Sequence, residues 1–118
     1  MTGPLLAVPL HLLAHSRAGD KGDRLNLSLI AYRREIWPWL VTEVTEARVL
    51  ERFRDRGATR VRRYALPNLQ ALNFVVDDVL QGGVNTGLGL DTHGKTLSFW
   101  LLAMEIRVDA DLILPQDL

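Results

Sequence analysis

The chain has 118 residues, 47% of them apolar, no cysteine and a formal net charge of zero. That length suits one domain whose core covers roughly two-thirds of the unfolded surface. The missing thiols exclude cysteine catalysis, disulfides and Cys-type zinc sites. No apolar run reaches the ~20 residues of a membrane span, and the N-terminal segment lacks the basic n-region of a signal peptide. The expectation is a soluble, cytoplasmic protein, a single domain over residues 1–118.

Val8 to His15 alternates apolar and mixed positions, which predicts a strand, with Pro9 at its start or on a sheet edge. Ser16 to Arg24 (SRAGDKGDR), with two glycines and alternating charges, reads as a nine-residue loop. Leu25 to Tyr32 alternates again, so the two strands form a hairpin. Arg33 to Thr45 holds Trp37-Pro38-Trp39, with Pro38 suited to a first helical turn. Thr45 caps a second helix through Val49, Leu50 and Phe53, and Gly57 ends it. Thr59 to Leu66 is a short strand.

Leu69, Leu72, Val76, Val79 and Leu80 recur at helical spacing, so Leu69 to Gln81 is the clearest predicted amphipathic helix. Pro67-Asn68 caps it, and Asp77-Asp78 sit near its C-terminus, where the macrodipole disfavours them. Val84 to Leu90 reads as a strand whose second face, Asn85, Gly87 and Gly89, is almost bare. Asp91 to Gly94 is a turn, Lys95 to Met104 a last apolar helix, Ile106 to Val108 an edge strand, and Asp109 to Leu118 an acidic tail. This order predicts an α+β, two-layer sandwich, a mainly antiparallel sheet with helices packed on one face.

The charge is unevenly spread. Between Arg48 and Arg63, seven arginines meet only Glu51 and Asp55. Such a run can attract phosphate, but is more commonly the wet face of a helix and strand. It lacks the strand aromatics of RNA-binding sheets, so no nucleic-acid role is expected. Trp37, Trp39 and Trp100 fit either interface anchors or core. His11 and His15, four apart on one strand, are separated by about 13 Å of rise, too far for one metal. No metal or cofactor is expected.

The densest chemistry lies in Arg17, Gly19, Asp20, Lys21, Gly22 and Asp23. Successive backbone N–H groups in glycine-containing turns hold anions, and Arg17, Lys21 and Arg24 add positive charge. The loop is no P-loop, since the GxxxxGK[ST] spacing is absent and a strand follows. It equally fits a self-satisfied hairpin loop whose carboxylates accept backbone N–H bonds. Asn26, Asn73 and Asn85 are candidate polar lining residues.

Ser16 to Ala31 (SRAGDKGDRLNLSLIA) resembles the RSGDKGD-type signature of the AtuA-like domain. The likeness continues in Trp37-Pro38-Trp39-Leu40, Tyr64 to Pro67, Ala71-Leu72-Asn73-Phe74, Gly82-Gly83, Leu88 to Asp91 and Gly94-Lys95, a recognisable core of about residues 10–108. That domain is the C-terminal part of the acyclic terpene utilisation protein A family and also occurs as a short separate protein. The resemblance implies a ferredoxin-like fold and a link to catabolism of acyclic terpenoid or branched acids through acyl-CoA intermediates. Three functions compete. One is an accessory module binding an acyl-CoA or small carboxylate. The second is an assembly subunit, as a homo-oligomer or with a partner. The third is a small hydratase or isomerase component using Asp20 or Asp23 as base, although three basic neighbours favour the ionised carboxylate and oppose that role.

Overall fold

The computed structural model describes residues 4–21, 24–79 and 97–113. Its centre is the strand β3 (Arg24–Ala31), in which Leu25, Leu27, Leu29 and Ala31 are buried and the residues between them are not. β2 (Ala14–Lys21) pairs antiparallel with β3 in a register that sets Ala14 against Ala31 and Lys21 against Arg24. The predicted hairpin is present, but its strands run much further than expected. Most of the predicted loop is ladder, and the connection shrinks to Gly22-Asp23, which lie outside the described residues. The predicted strand Val8 to His15 is correspondingly broken: β1 (Leu5–Pro9) ends at the proline, and a 3-10 turn over Leu10–Leu12 redirects the chain into β2. His11 therefore sits on the turn and His15 on β2.

The main correction concerns Leu69 to Gln81. Ala71–Asp77 is a strand, β5, with Leu72, Phe74 and Val76 buried and Asn73, Val75 and Asp77 half-exposed on the opposite face. Pro67–Leu69 forms a 3-10 turn closed by Gln70 in the left-handed region (φ 52°), so Pro67 turns a hairpin rather than capping a helix. β5 lies between β3 and β4 (Arg60–Leu66), giving the four-stranded order β2-β3-β5-β4. All three neighbour pairs are antiparallel, so β3 and β4 run parallel on either side of β5. The crossover between them is α1 (Trp37–Glu43) and α2 (Glu46–Phe53). This is a split β-α-β unit with an antiparallel strand inserted, the ferredoxin-like α+β arrangement.

Local signals at the helices act as expected. Pro38 occupies the first turn of α1. The Thr45 hydroxyl accepts the Arg48 backbone N–H at 3.2 Å. Gly57 adopts φ 97° after a closing 3-10 turn, a conformation that costs a side-chain-bearing residue about 1–2 kcal/mol. Residues 97–102 form a third helix, α3, and β6 (Glu105–Asp109) returns to pair antiparallel with β1 in a separate two-stranded sheet. The predicted strand Val84 to Leu90 and turn Asp91 to Gly94 lie outside the described residues.

Much of the arginine run is structural. Arg63 Nη1 donates to the carbonyls of Val41 and Val44, both at 2.8 Å, satisfying groups at the C-terminus of α1. Its own backbone N–H donates to the Glu46 carboxylate at 2.8 Å. Arg48 reaches the Glu105 carbonyl at 2.7 Å, and Arg52 exchanges hydrogen bonds with Trp100, 2.9 Å out and 2.8 Å back. The Arg52 and Arg56 guanidiniums lie 4.0 and 4.5 Å from the Trp100 ring centroid, within cation-π range. Trp37, Trp39 and Trp100 are half-buried against the core.

Replacing Arg63 by Leu removes a charged donor shared by two carbonyls. The expected loss is about 2 kcal/mol, a fall of several degrees in Tm by calorimetry. Arg63→Lys should recover only part of it, because a single ammonium does not reproduce the fork. An unchanged Tm in Arg63→Leu would refute this role.

Candidate functional site

Helices and core residues occupy one face of the four-stranded sheet. The cross-strand registers fix the residues of the other, outer face. One row across it runs Arg17, Ser28, Asn73, Tyr64, and the next runs Gly19, Asn26, Val75, Arg62. The structure therefore brings four of the sequence-predicted site residues, Arg17, Gly19, Asn26 and Asn73, onto one surface. Asn73 is present there only because β5 is a strand.

The two rows are joined by hydrogen bonds. Asn73 Nδ2 donates to Asn26 Oδ1 at 3.1 Å, and Ser28 Oγ accepts the Arg17 backbone N–H at 3.0 Å. The Arg17 side chain is exposed, with no hydrogen bond or ion pair among the described residues. At the hairpin end, Asp77 Oδ1 pairs with Arg24 Nε at 3.0 Å and approaches Arg62 Nη2 at 3.8 Å. Asp77 is thus an ion-pair centre on a strand, not a carboxylate at a helix end. Arg62 Nε is buried without a hydrogen-bond partner.

Gly19 lies in extended strand, not in a turn, and a Cβ built there meets nothing within 4 Å. Its glycine character serves no close contact within the chain. Asp20 and Lys21 end β2, opposite Leu25 and Arg24. Their side chains, together with Gly22, Asp23 and Asn85, lie outside the described residues.

At the opposite end of the same face the character changes. The row beside Arg17 and Asn73 runs His15, Ile30, Ala71, Leu66. Around it Tyr32, Tyr64 and Leu66 are 57%, 48% and 44% exposed, and the His15 and Tyr32 rings lie 5.5 Å apart. Ser28, Tyr64 and Arg62 were not among the candidate site residues read from the sequence. The alternation of Arg62, Tyr64 and Leu66 along TRVRRYAL is the signal for Arg62 and Tyr64, and that of Asn26 and Ser28 along Leu25 to Tyr32 the signal for Ser28. Among the described residues no group of three or more His, Asp or Glu side chains is placed to hold a metal, and no helix is long and apolar enough to cross a membrane.

Because Gly19 faces open space, Gly19→Ala should leave the fold intact and raise stability by up to about 1 kcal/mol through the unfolded chain. A lower Tm by calorimetry would show that the position needs glycine for the fold itself.

Comparison with known proteins adds a family assignment. The family model described as the AtuA ferredoxin-like domain matches residues 8–107. Neither the curated proteins nor the solved structures contain a match. The match runs from the end of β1 into β6 and takes in every strand of the outer face, so the chain belongs to the AtuA ferredoxin-like domain family.

Proposed function

We propose that the domain is a ligand-binding module for carboxylic acids or their acyl-CoA derivatives in the catabolism of acyclic terpenoid or branched acids. The observation that carries this reading is the two-part character of the outer face. A polar row (Arg17, Ser28, Asn73, Tyr64), whose arginine has no partner among the described residues, runs beside a mainly apolar row (Ile30, Ala71, Leu66) that ends in His15 and is edged by Tyr32. A branched acid has the same division, an anionic head and a hydrocarbon tail. Arg17 would take the carboxylate through a charge-assisted bond, the Asn26–Asn73 amide pair would orient it, and the tail would cover Leu66 and the two tyrosines. The family name links the fold to acyclic terpene use, which agrees with such a ligand.

Binding should show as thermal stabilisation. A ligand at 100 times its Kd adds about 2.7 kcal/mol, several degrees for a domain of this size. A thermal-shift series with acyclic terpenoid acids, acyl-CoA thioesters, free CoA and acetate should rank the branched, long-tailed compounds first. Arg17→Ala should abolish the shift, while Arg54→Ala, an exposed arginine on the 3-10 turn after α2, should keep it. Leu66→Ser should weaken the response to terpenoid acids and not to acetate. A series with no shift, or one unaffected by Arg17→Ala, would overturn the reading.

A further inference from the structure

The four-stranded sheet has two outer edges, and the chain treats them differently. Along β4 the backbone N–H of Arg63 points away from β5 and is taken by the Glu46 carboxylate at 2.8 Å, so that edge is capped at its centre. Along β2 the pattern is open. The Tyr32 N–H bonds the Leu13 carbonyl at 2.9 Å, and strict alternation then makes Arg17-Ser28 and Gly19-Asn26 the hydrogen-bonded pairs with β3. The backbone groups of Ser16 and Ala18 point the other way, and among the described residues neither has a partner there. β2 is eight residues long, contains no proline, and around its middle carries only small residues on the core side, Ser16 and Ala18. Unprotected edges of this kind are templates for another strand.

We propose that β2 pairs antiparallel with β2 of a second copy of this chain about a two-fold axis at Ala18, making one continuous eight-stranded sheet. Symmetry about an axis normal to the sheet sets residues of like face opposite each other, so Ala18 faces Ala18, Ser16 faces Asp20 and Arg17 faces Gly19. The open groups of Ser16, Ala18 and Asp20 then form about six backbone hydrogen bonds.

Two features select this register and this occupant. Arg17, the bulkiest residue at the centre of β2, falls opposite the one position with no side chain and nothing within 4 Å of its Cβ. Ser16 Oγ is buried without a hydrogen-bond partner, and the register sets an acidic residue opposite it. A register centred on Arg17 would instead set two arginines face to face. The pairing is independent of the ligand reading above.

The test is sedimentation velocity on the full chain without ligand, over a wide concentration range. Wild type should sediment as a dimer, and Ala18→Pro as a monomer with unchanged circular dichroism. The substitution removes an N–H that points away from β3, so the native ladder is kept. Because the chain has no cysteine, a second measurement reads the register directly. Ala18→Cys should form a disulfide-linked dimer under mild oxidation. Ser16→Cys should not, since the two copies of that position lie four residues apart along the pairing, about 13 Å. A monomeric wild type would overturn the proposal and leave the edge to an extended segment of a different protein. A dimer that survives Ala18→Pro, or faster cross-linking at Ser16, would also overturn it. Ligand shifts are read in a separate assay, so either reading can fail alone.

Discussion

The placement of every outer-face residue depends on the register of β3 against β5. A strand has a side-chain period of two, so a slip of one residue would carry Leu25, Leu27 and Leu29 to solvent and bring Asn26 and Ser28 into the core. Leu27 opposite Phe74 and Leu29 opposite Leu72, all fully buried, oppose that slip with several kcal/mol of apolar burial. The same register sets Asn26 and Asn73 one step apart on the opposite face, at hydrogen-bonding distance. The polar surface is thus positioned by the apolar one, and no loop has to hold it.

The arginines divide into those the fold uses and those it leaves over. Arg48, Arg52 and Arg63 donate to main-chain carbonyls of distant segments, and Arg54 pairs with Glu51 at 3.2 Å. Carbonyls at helix ends and between elements need donors, and a guanidinium on a long stem supplies them without burying its own charge. Positive charge counted along the sequence therefore overstates what is free to meet an anion. Arg17, from outside the dense run, has no partner among the described residues. Surface ion pairs such as Arg54-Glu51 add little stability, so the carbonyl contacts carry most of what this run contributes.

How much of this was legible depended on whether the deciding interaction was local. The Thr45 cap, the Pro38 helix start and the Gly57 ending rest on neighbours within a turn, and they read correctly from the sequence. β5 did not. Leu69, Leu72 and Val76 fit helical spacing, while Leu72, Phe74 and Val76 fit a strand equally well, and the choice is made by β3 and β4 pairing on both sides. The SRAGDKGDR segment failed in the opposite direction. Its glycines and charges resemble a loop, yet the ladder runs through Gly19 to Lys21 because β3 offers an unbroken partner. Long-range contacts such as Arg48 to Glu105 leave no local trace, so the structural use of the arginine run could not be seen.

In this fold the place beside β3 opposite β5 is filled by β2, a strand that precedes the split β-α-β unit in the chain. Parity then gives one strand two surfaces. The odd residues, Arg17 and Gly19, direct their backbone groups to β3 and belong to the outer face. The even residues, Ser16 and Ala18, belong to the core side and direct their backbone groups to the free edge. A substitution on the odd positions changes the outer face without touching the backbone groups of the edge, and a proline on an even position does the reverse. The two surfaces nonetheless share Gly19, whose bare position keeps the outer face flat where it reaches the edge. On the proposed pairing the second copy's Arg17 falls opposite Gly19, so that reading, and not the fold itself, gives the glycine in this extended strand a reason.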